Sequence, residues 1–276
     1  MKPTRRADYL WHGEPFVKTV IACGQFAPAS GDIARNTERI DGFAAEAARR
    51  GAAVLVLPEL CLCGYPSREE SRGRAVAPNG PEMARLAECA RSRGISLCFG
   101  FVELEPTGIL HNSMAFIDRT GRLGGVYRKV HLWAAEKEWA DPGEGFGCVD
   151  LGSLKLGMWI CYDTRFPEAA RTLARSGATL GLVGSAWFGP AEEWELALRA
   201  RALDNGMFVA GAAVQGRFGE ADFHGASLIV SPHGRVLAQA EEGRDELICA
   251  EYDSDAVAAF RARLPLLADL RPGAYA

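Results

Sequence analysis

Apolar and polar positions alternate along the chain in blocks that predict strands and helices in turn. An apolar run at 20–26 precedes a segment at 33–50 whose apolar residues recur at helical spacing. Asp32 before that segment and Gly51 after it are typical of a helix N-cap and a helix stop. The strand-like runs AVLVLP and ISLCFGF then flank a second predicted helix at 81–94. The first hundred residues therefore predict βαβ units.

The pattern changes in the middle of the chain and then resumes. Residues 111–130 predict two strands joined by the turn DRTG. Strand-like runs then alternate with predicted helices at 165–176 and 190–205, and the last third reads as the strands ASLIVS, RVLAQA and ELICAEY. Mixed βαβ units and hairpins without a Pro/Gly/Ser-rich linker predict a single α/β domain over 1–276, with mixed sheets and helices outside.

Composition and charge disfavour several classes of protein. The formal net charge is −4 without a long run of one sign, which disfavours a nucleic-acid partner. No apolar stretch is long enough for a membrane span, so we expect no membrane partner. Most of the eight cysteines lie in apolar runs, which indicates reduced thiols and a cytoplasmic protein. Neither the cysteines nor the five histidines have metal-ligand spacing, so we expect no metal and no cofactor.

Three reactive side chains each follow a predicted buried strand. Glu59 follows AVLVLP, Lys129 follows GVYR and Cys161 follows KLGMWI. Because α/β sheets present ligand sites beyond the carboxyl ends of their strands, these side chains can meet at one rim. Taken singly, each has a plainer interpretation: Cys161 as packing, Glu59 as a cap and Lys129 as a solvated stem. Spacing alone leaves these interpretations and a shared site about equally favoured.

Together the three groups suffice for acyl transfer from nitrogen to water. A carboxylate can take the thiol proton, and a lysine can stabilise an oxyanion. The same carboxyl group can protonate a leaving amine and then activate water. The strand-to-helix elbow at Cys161 also directs the backbone N–H of Tyr162 toward the nucleophile, and the helix dipole predicts a lowered thiol pKa.

Around these residues the chain resembles the nitrilase superfamily, the carbon–nitrogen hydrolases. The matching segments include PELCLCGY around Glu59, YRKVHLW around Lys129 and GMWICYDTRFPEAARTLA around Cys161. HNSMAFIDRTGR, EKEWADPGEGF, GSAWF, RALDNGMFVAGAAVQG and GASLIVSPHGRVLA also match, in the family's order. The resemblance extends from Val20 to the C-terminus, and the segments are highly specific as a series.

The resemblance implies a fold and a set of roles. The fold would be a four-layer α-β-β-α sandwich with two mixed sheets. Glu59 would be the general base and acid, Lys129 the oxyanion stabiliser and Cys161 the nucleophile, with the backbone N–H of Tyr162 completing the oxyanion hole. Glu136 best fits the family's second glutamate, and Glu138 remains its rival.

The resemblance also implies a homodimer or a higher homo-oligomer, paired through helices on one face. The tail at 261–276 is expected at the subunit interface, with packing on its own subunit as the alternative. Residues 1–16 form an N-terminal extension outside the resemblance.

The residues after the nucleophile bear on the reaction. True nitrilases tend to have Trp-Glu there, whereas Tyr162-Asp163 is closer to amidase-like branches and CYDxRFPE resembles ω-amidases. We therefore expect hydrolysis of a small carboxamide through a cysteine thioester. An N-carbamoyl amine or amino-acid hydrolase, acting on a ureido substrate, is the alternative, and a non-catalytic binding protein on the same fold is a second one.

Four further side chains are candidates for the substrate pocket. Tyr65 and Trp133 flank the Glu59 and Lys129 segments, and Trp187 follows an apolar strand. Arg165 could bind a substrate carboxylate or form a structural ion pair, with Glu168 or another acidic group.

Overall fold

The computed structural model describes residues 18–151, 154–218 and 221–274. Its strands are β1 (Lys18–Gln25), β2 (Ala52–Val56), β3 (Ser96–Leu104), β4 (Leu110–Ile117), β5 (Leu123–Arg128), β6 (Cys148–Asp150), β7 (Lys155–Ile160), β8 (Leu180–Ser185), β9 (Phe208–Ala213), β10 (Gln215–Phe218), β11 (Ala221–His224), β12 (Leu228–Val230), β13 (Val236–Gln239) and β14 (Glu246–Asp253). Its α-helices are α1 (Ile33–Arg49), α2 (Arg68–Ser71), α3 (Pro81–Arg93), α4 (Pro167–Arg175), α5 (Ala191–Asn205) and α6 (Ser254–Arg263).

Most strands form two six-stranded mixed sheets of similar design. The first has the order β14-β1-β2-β3-β4-β5 and the second β13-β12-β9-β8-β7-β6. In each, three neighbouring strands are parallel, β1-β2-β3 and β7-β8-β9, and the flanking strands are antiparallel. The parallel part comes from the βαβ units and the antiparallel part from the hairpins, as the sequence pattern indicates.

The two sheets pack face to face between outer layers of helices. Strands of the first sheet contact β7, β8 and β9 of the second. Helices α1 and α3 cover the first sheet, and α4 and α5 cover the second. The strands in the middle are buried on both faces, which explains their continuous apolar runs. The chain thus adopts the four-layer α-β-β-α sandwich that the resemblance implies.

Helix boundaries follow local chemistry closely. The Asp32 carboxylate accepts the Arg35 backbone N–H at 3.0 Å and begins α1. Gly94 ends α3 in the left-handed conformation, with φ of 67°. The helix predicted at 165–176 begins later, at Pro167, because Cys161–Arg165 form a separate 3₁₀ turn. Strand β6, the hairpin β10-β11 and helix α6 were missed, since they are short or lack clear apolar periodicity.

The chain ends bear on two of the predictions. The predicted extension at 1–16 lies outside the described residues. In the tail, the Arg261 guanidinium donates to the backbone oxygens of Gly206 and Ala178 at 3.0 and 2.7 Å, while Leu264 and Leu266 are exposed. The tail therefore begins on its own subunit, and its place at an interface stays a prediction.

No helix among the described residues combines the length and apolar character needed to cross a membrane. The cytoplasmic location stays a prediction.

Candidate active site

The three reactive side chains come from the ends of strands in both sheets. Glu59 lies in the loop after β2, Lys129 directly follows β5, and Cys161 directly follows β7. The Lys129 Nζ lies 2.7 Å from Glu59 Oε1, and both side chains are fully buried. This contact joins the carboxyl end of a central strand to that of an edge strand of the same sheet.

Two glycines let the loop that carries Glu59 pack directly against neighbouring strands. A β-carbon on Gly100 of β3 would lie 2.7 Å from the Glu59 Cα and 2.3 Å from the Leu60 backbone nitrogen. A β-carbon on Gly184 of β8 would lie 2.9 Å from the Glu59 backbone nitrogen. No real side chain tolerates such contacts with backbone. Because both positions are glycine, the backbone at Glu59 can lie directly against β3 and β8, between the two sheets.

Cys161 sits on a sharp turn beside Glu59. It has φ of 43°, in the left-handed region, which marks a constrained residue of the kind found at active sites. Its Sγ lies 3.5 Å from the backbone oxygen of Ala186, and the Ala186 N–H donates to Glu59 Oε2 at 2.7 Å. The sulfur and the carboxylate therefore contact the two polar atoms of one residue at the end of β8.

The structure distinguishes between the two candidates for the second glutamate. Glu136 is fully buried and its Oε1 lies 2.8 Å from Lys129 Nζ, whereas Glu138 is exposed. The Tyr65 hydroxyl donates to Glu136 Oε1 at 2.5 Å, and the Trp133 backbone N–H donates to Oε2 at 2.9 Å. Glu136 thus contacts the same Lys129 ammonium that Glu59 contacts.

Sequence reasoning missed Asn112 as a site residue. Its Nδ2 donates to Glu59 Oε1 at 2.7 Å and to Glu136 Oε1 at 3.2 Å, and the residue is fully buried on β4. Three consecutive polar residues within an otherwise apolar strand, HNS in the resembling segment, are the signal that could have revealed it. Asn112 holds the two carboxylates in fixed positions relative to Lys129.

Burial and neighbouring charges shift the pKa values of Glu59, Lys129 and Cys161. Burial raises the pKa of Glu59, and Glu136 adds to the rise, which Lys129 only partly offsets. Burial lowers the pKa of Lys129, but Glu59 and Glu136 raise it by more, so the ammonium is retained. Burial also raises the pKa of the Cys161 thiol, and the Glu59 charge adds to this, against the opposing Lys129. The sequence-based expectation of a lowered thiol pKa is therefore wrong, because burial and the Glu59 charge raise it.

Asp163, a further buried carboxylate that was missed from the sequence, braces the turn at Cys161. Asp163 accepts the backbone N–H of Ile160 at 3.1 Å and the Tyr127 hydroxyl at 2.6 Å. It also accepts the His131 backbone N–H at 2.9 Å, and the His131 ring Nδ1 lies 2.8 Å away. These contacts tie the residues on both sides of Cys161 to the segment after β5. Tyr162, between Cys161 and Asp163, is held on this turn.

The predicted pocket residues divide between two neighbouring cavities. A cavity of about 30 Å³ reaches Cys161 and is lined by Trp133, Tyr162, Arg165, Trp187 and Phe188. Tyr65 lines a larger cavity of about 610 Å³ that shares Phe188 with the first. Trp187 also packs in the core, with its ring 5.2 Å from Trp194.

Arg165 forms an ion pair with Glu193, with Nη2 at 2.5 Å from Oε2. The partner is therefore an acidic residue of α5 rather than the nearby Glu168.

Among residues 18–151, 154–218 and 221–274, no group of three or more His, Cys, Asp or Glu side chains could hold a metal ion. The expectation of no cofactor stays a prediction.

Known proteins are similar to this chain over most of its length. A family model described as carbon–nitrogen hydrolase matches residues 20–262. A probable nitrilase of Schizosaccharomyces pombe is 33% identical over 245 residues, 87% of this chain and 90% of that protein. A 2-oxoglutaramate amidase of Bacillus subtilis is 32% identical over 268 residues, 94% of this chain and 100% of that protein.

Among solved structures, a mutant of the amidase from Nesterenkonia sp. AN1 matches with a TM-score of 0.82 and 29% identity, covering 93% of this chain and 95% of that one. That structure shows covalent addition of the acetamide moiety of fluoroacetamide at its active-site cysteine. With the family match across nearly the whole chain, this fold and this buried Cys-Glu-Lys cluster lead to one conclusion: the chain belongs to the carbon–nitrogen hydrolases of the nitrilase superfamily.

Proposed function

We propose that this hydrolase converts a small carboxamide into its carboxylic acid and ammonia through a thioester on Cys161. The observation that carries the proposal is the contact of both Cys161 and Glu59 with Ala186, with Lys129 bound to the same carboxylate. A nucleophile, a base and a cation are thereby held together in a dry site. Relatives and structures named amidases support the amide as substrate.

The first half of the reaction forms the thioester. Glu59 accepts the thiol proton as the Cys161 sulfur attacks the amide carbon, and the carbonyl π electrons move onto oxygen. The Lys129 ammonium and the backbone N–H of Tyr162 stabilise this oxyanion. Glu59 then gives its proton to the departing nitrogen, the C–N bond breaks, and ammonia leaves. The raised pKa of Glu59 suits a group that must both accept and return a proton near neutral pH.

The second half returns the enzyme to its starting state. Glu59 removes a proton from water as the water oxygen attacks the thioester carbon. The intermediate collapses with cleavage of the C–S bond, and the carboxylic acid is released. The proton on Glu59 returns to the Cys161 sulfur. In both halves Glu136 and Asn112 act as positioning residues, because Glu136 accepts from the Lys129 ammonium and Asn112 donates to Glu59.

The cavity at Cys161 favours a short acyl group. Its volume of about 30 Å³ is a few water-sized spheres, and its walls are mainly aromatic. The ring of Trp133 lies 4.7 Å from that of Tyr162, so this part of the wall is itself packed. Acetamide to butanamide are therefore the first amides to assay.

Ammonia release from a panel of amides, ureido compounds and nitriles tests the proposal. We expect release from short amides, abolished in Cys161→Ala and retained in Cys249→Ala, a matched change at a half-buried thiol. Mass spectrometry of acid-quenched enzyme should show an acyl group on the Cys161 peptide. If the enzyme releases carbon dioxide from ureido compounds and does not hydrolyse amides, it is a carbamoyl hydrolase and not an amidase. If no compound of the panel releases ammonia and Cys161 is alkylated no faster than the other cysteines, the chain is a binding protein.

We also propose that the chain works as a homodimer or larger homo-oligomer. Exposed leucines on α5 and β13, two neighbouring elements joined by the contact of Gln239 with Glu195, support this, because grouped exposed apolar side chains mark interaction surfaces.

A further inference from the structure

We propose that Arg165 and Trp187 form a carboxylate-binding position beside Cys161, and that the carboxylate of Glu193 pairs with the Arg165 part of it in the resting enzyme. The enzyme would then discriminate against amides that carry a second carboxylate, and Glu193 would be the residue that sets this preference. The inference rests on the proposed function only in treating the cavity at Cys161 as the substrate site.

The first observation is the placement of Arg165. It is the one charged residue lining the cavity at Cys161 in the part of the chain that the structure describes. Its guanidinium lies 4.5 Å from the centre of the Trp187 ring, a cation–π contact that fixes its plane. A guanidinium held on an aromatic surface is a suitable donor for a planar carboxylate.

The second observation is a donor without a partner. Trp187 is 5% exposed, and its indole Nε1–H is buried without a hydrogen-bond acceptor among the described residues. A β-carbon at Gly189 would lie 3.5 Å from this nitrogen, 3.7 Å from Arg165 Nη2 and 3.3 Å from Glu193 Oε2. The two donors and the carboxylate oxygen therefore surround one small space. A buried indole N–H normally has an acceptor, and the missing acceptor indicates a ligand atom.

The third observation is that Glu193 is easily displaced. The side chains of Arg165 and Glu193 are 43% and 49% exposed, and ion pairs at such exposure are weak. Glu193 also lies in the first turn of α5, beside Glu192, which forms no ion pair with Arg165 in this structure. The Glu193 carboxylate can thus compete with a ligand carboxylate for Arg165 without being essential to the fold.

Kinetics with a charged and a neutral amide of equal chain length test the inference. Succinamate and butanamide each have four carbons, and the readout is the ratio of their kcat/KM values. We expect Glu193→Gln to raise this ratio at least threefold, mainly through the KM for succinamate, a gain in proportion to the weak ion pair that it removes. Glu192→Gln, which removes the same charge from the same helical turn, should leave the ratio within about twofold of the parent. Arg165→Gln in the Glu193→Gln background should abolish the gain.

Calorimetric titration with succinate provides a readout that does not depend on turnover. Glu193→Gln should bind succinate at least threefold more tightly than the parent, and Glu192→Gln should not. Equal ratios and equal affinities in the two variants would overturn the inference. Absence of butanamide hydrolysis in the parent enzyme would instead refute the proposed function, and the succinate titration would still decide whether the carboxylate position exists.

Discussion

At the scale of single residues, the site is a balance of buried charges. Lys129 lies between Glu59 and Glu136, and all three side chains are completely removed from solvent. Each carboxylate gains a charge-assisted hydrogen bond from the same ammonium, and Asn112 donates to both. Removal of any one partner leaves a buried charge without compensation, which is strongly unfavourable.

Lys129→Met is therefore expected to destabilise the protein by about 3–5 kcal/mol and to abolish turnover, because two buried carboxylates then face each other. The loss of stability is measured as the change in the free energy of unfolding, from denaturant titrations of both proteins fitted with the same m-value. Lys155→Met removes a 43% exposed lysine from an ion pair with Asp150 and should cost about 1 kcal/mol or less. Equal losses in the two variants would contradict the coupled arrangement.

The pH dependence of activity follows from the Glu59 carboxyl group. The proposed mechanism requires the carboxylate form of Glu59 to accept the thiol proton, and burial raises the pKa of Glu59 above its usual 4.5. As the pH falls, the base is therefore lost at a higher pH than for an ordinary glutamate. We expect the acid limb of kcat/KM to have its midpoint clearly above pH 4.5, and the iodoacetamide reactivity of Cys161 to fall with it. Glu59→Gln should remove the pH dependence of this alkylation.

At the scale of elements, the close approach of the Glu59 loop to β3 and β8 positions the base. Only glycine fits at 100 and 184, since the loop backbone fills the space of a side chain. The site therefore depends on the sheet as much as on its own residues.

Gly100→Ala is expected to displace Glu59, destabilise the protein by about 1–3 kcal/mol and lower kcat at least tenfold. A matched control is Gly42→Ala in α1, where a β-carbon meets nothing within 4 Å and the helix should gain about 0.5–1 kcal/mol. Thermal unfolding and steady-state assays measure both variants. A Gly100→Ala enzyme with parental kcat would show that the contact does not position Glu59.

At the scale of the whole molecule, the sandwich brings together atoms far apart in the sequence. The bond from Ala186 to Glu59 joins β8 of one sheet to the loop after β2 of the other. The active site thus forms only when the two sheets have packed.

The outer face has a group of exposed leucines. They are Leu196 and Leu203 on α5, which are 69% and 45% exposed, and Leu237 on β13, which is 41% exposed.

We expect the protein to sediment as a dimer or larger oligomer at micromolar concentration. Leu196→Lys should shift it toward monomers, because a charge in an apolar interface is costly to bury. Leu123→Lys, at a 39% exposed leucine of β5 in the other sheet, is the control. A monomeric parent protein, or identical behaviour of the two variants, would refute the homodimer proposed through α5.

The sequence pattern alone was sufficient to predict features that depend on residues close together in the chain. The capping side chain of Asp32 and the left-handed Gly94 marked helix ends that the structure confirms. Continuous apolar runs marked the strands, since central strands are buried on both faces. The series of motifs around Glu59, Lys129 and Cys161 identified the family.

Tertiary packing alone decided the rest. The contacts of Asn112 with two carboxylates, the pairing of Arg165 with Glu193 and the choice of Glu136 over Glu138 each join residues from separate elements. The raised pKa of the Cys161 thiol likewise depends on how completely its surroundings exclude water. Sequence determines what each segment prefers to be and which chemical groups it carries. Distances and desolvation between segments arise only when the sheets pack, and these set the chemistry.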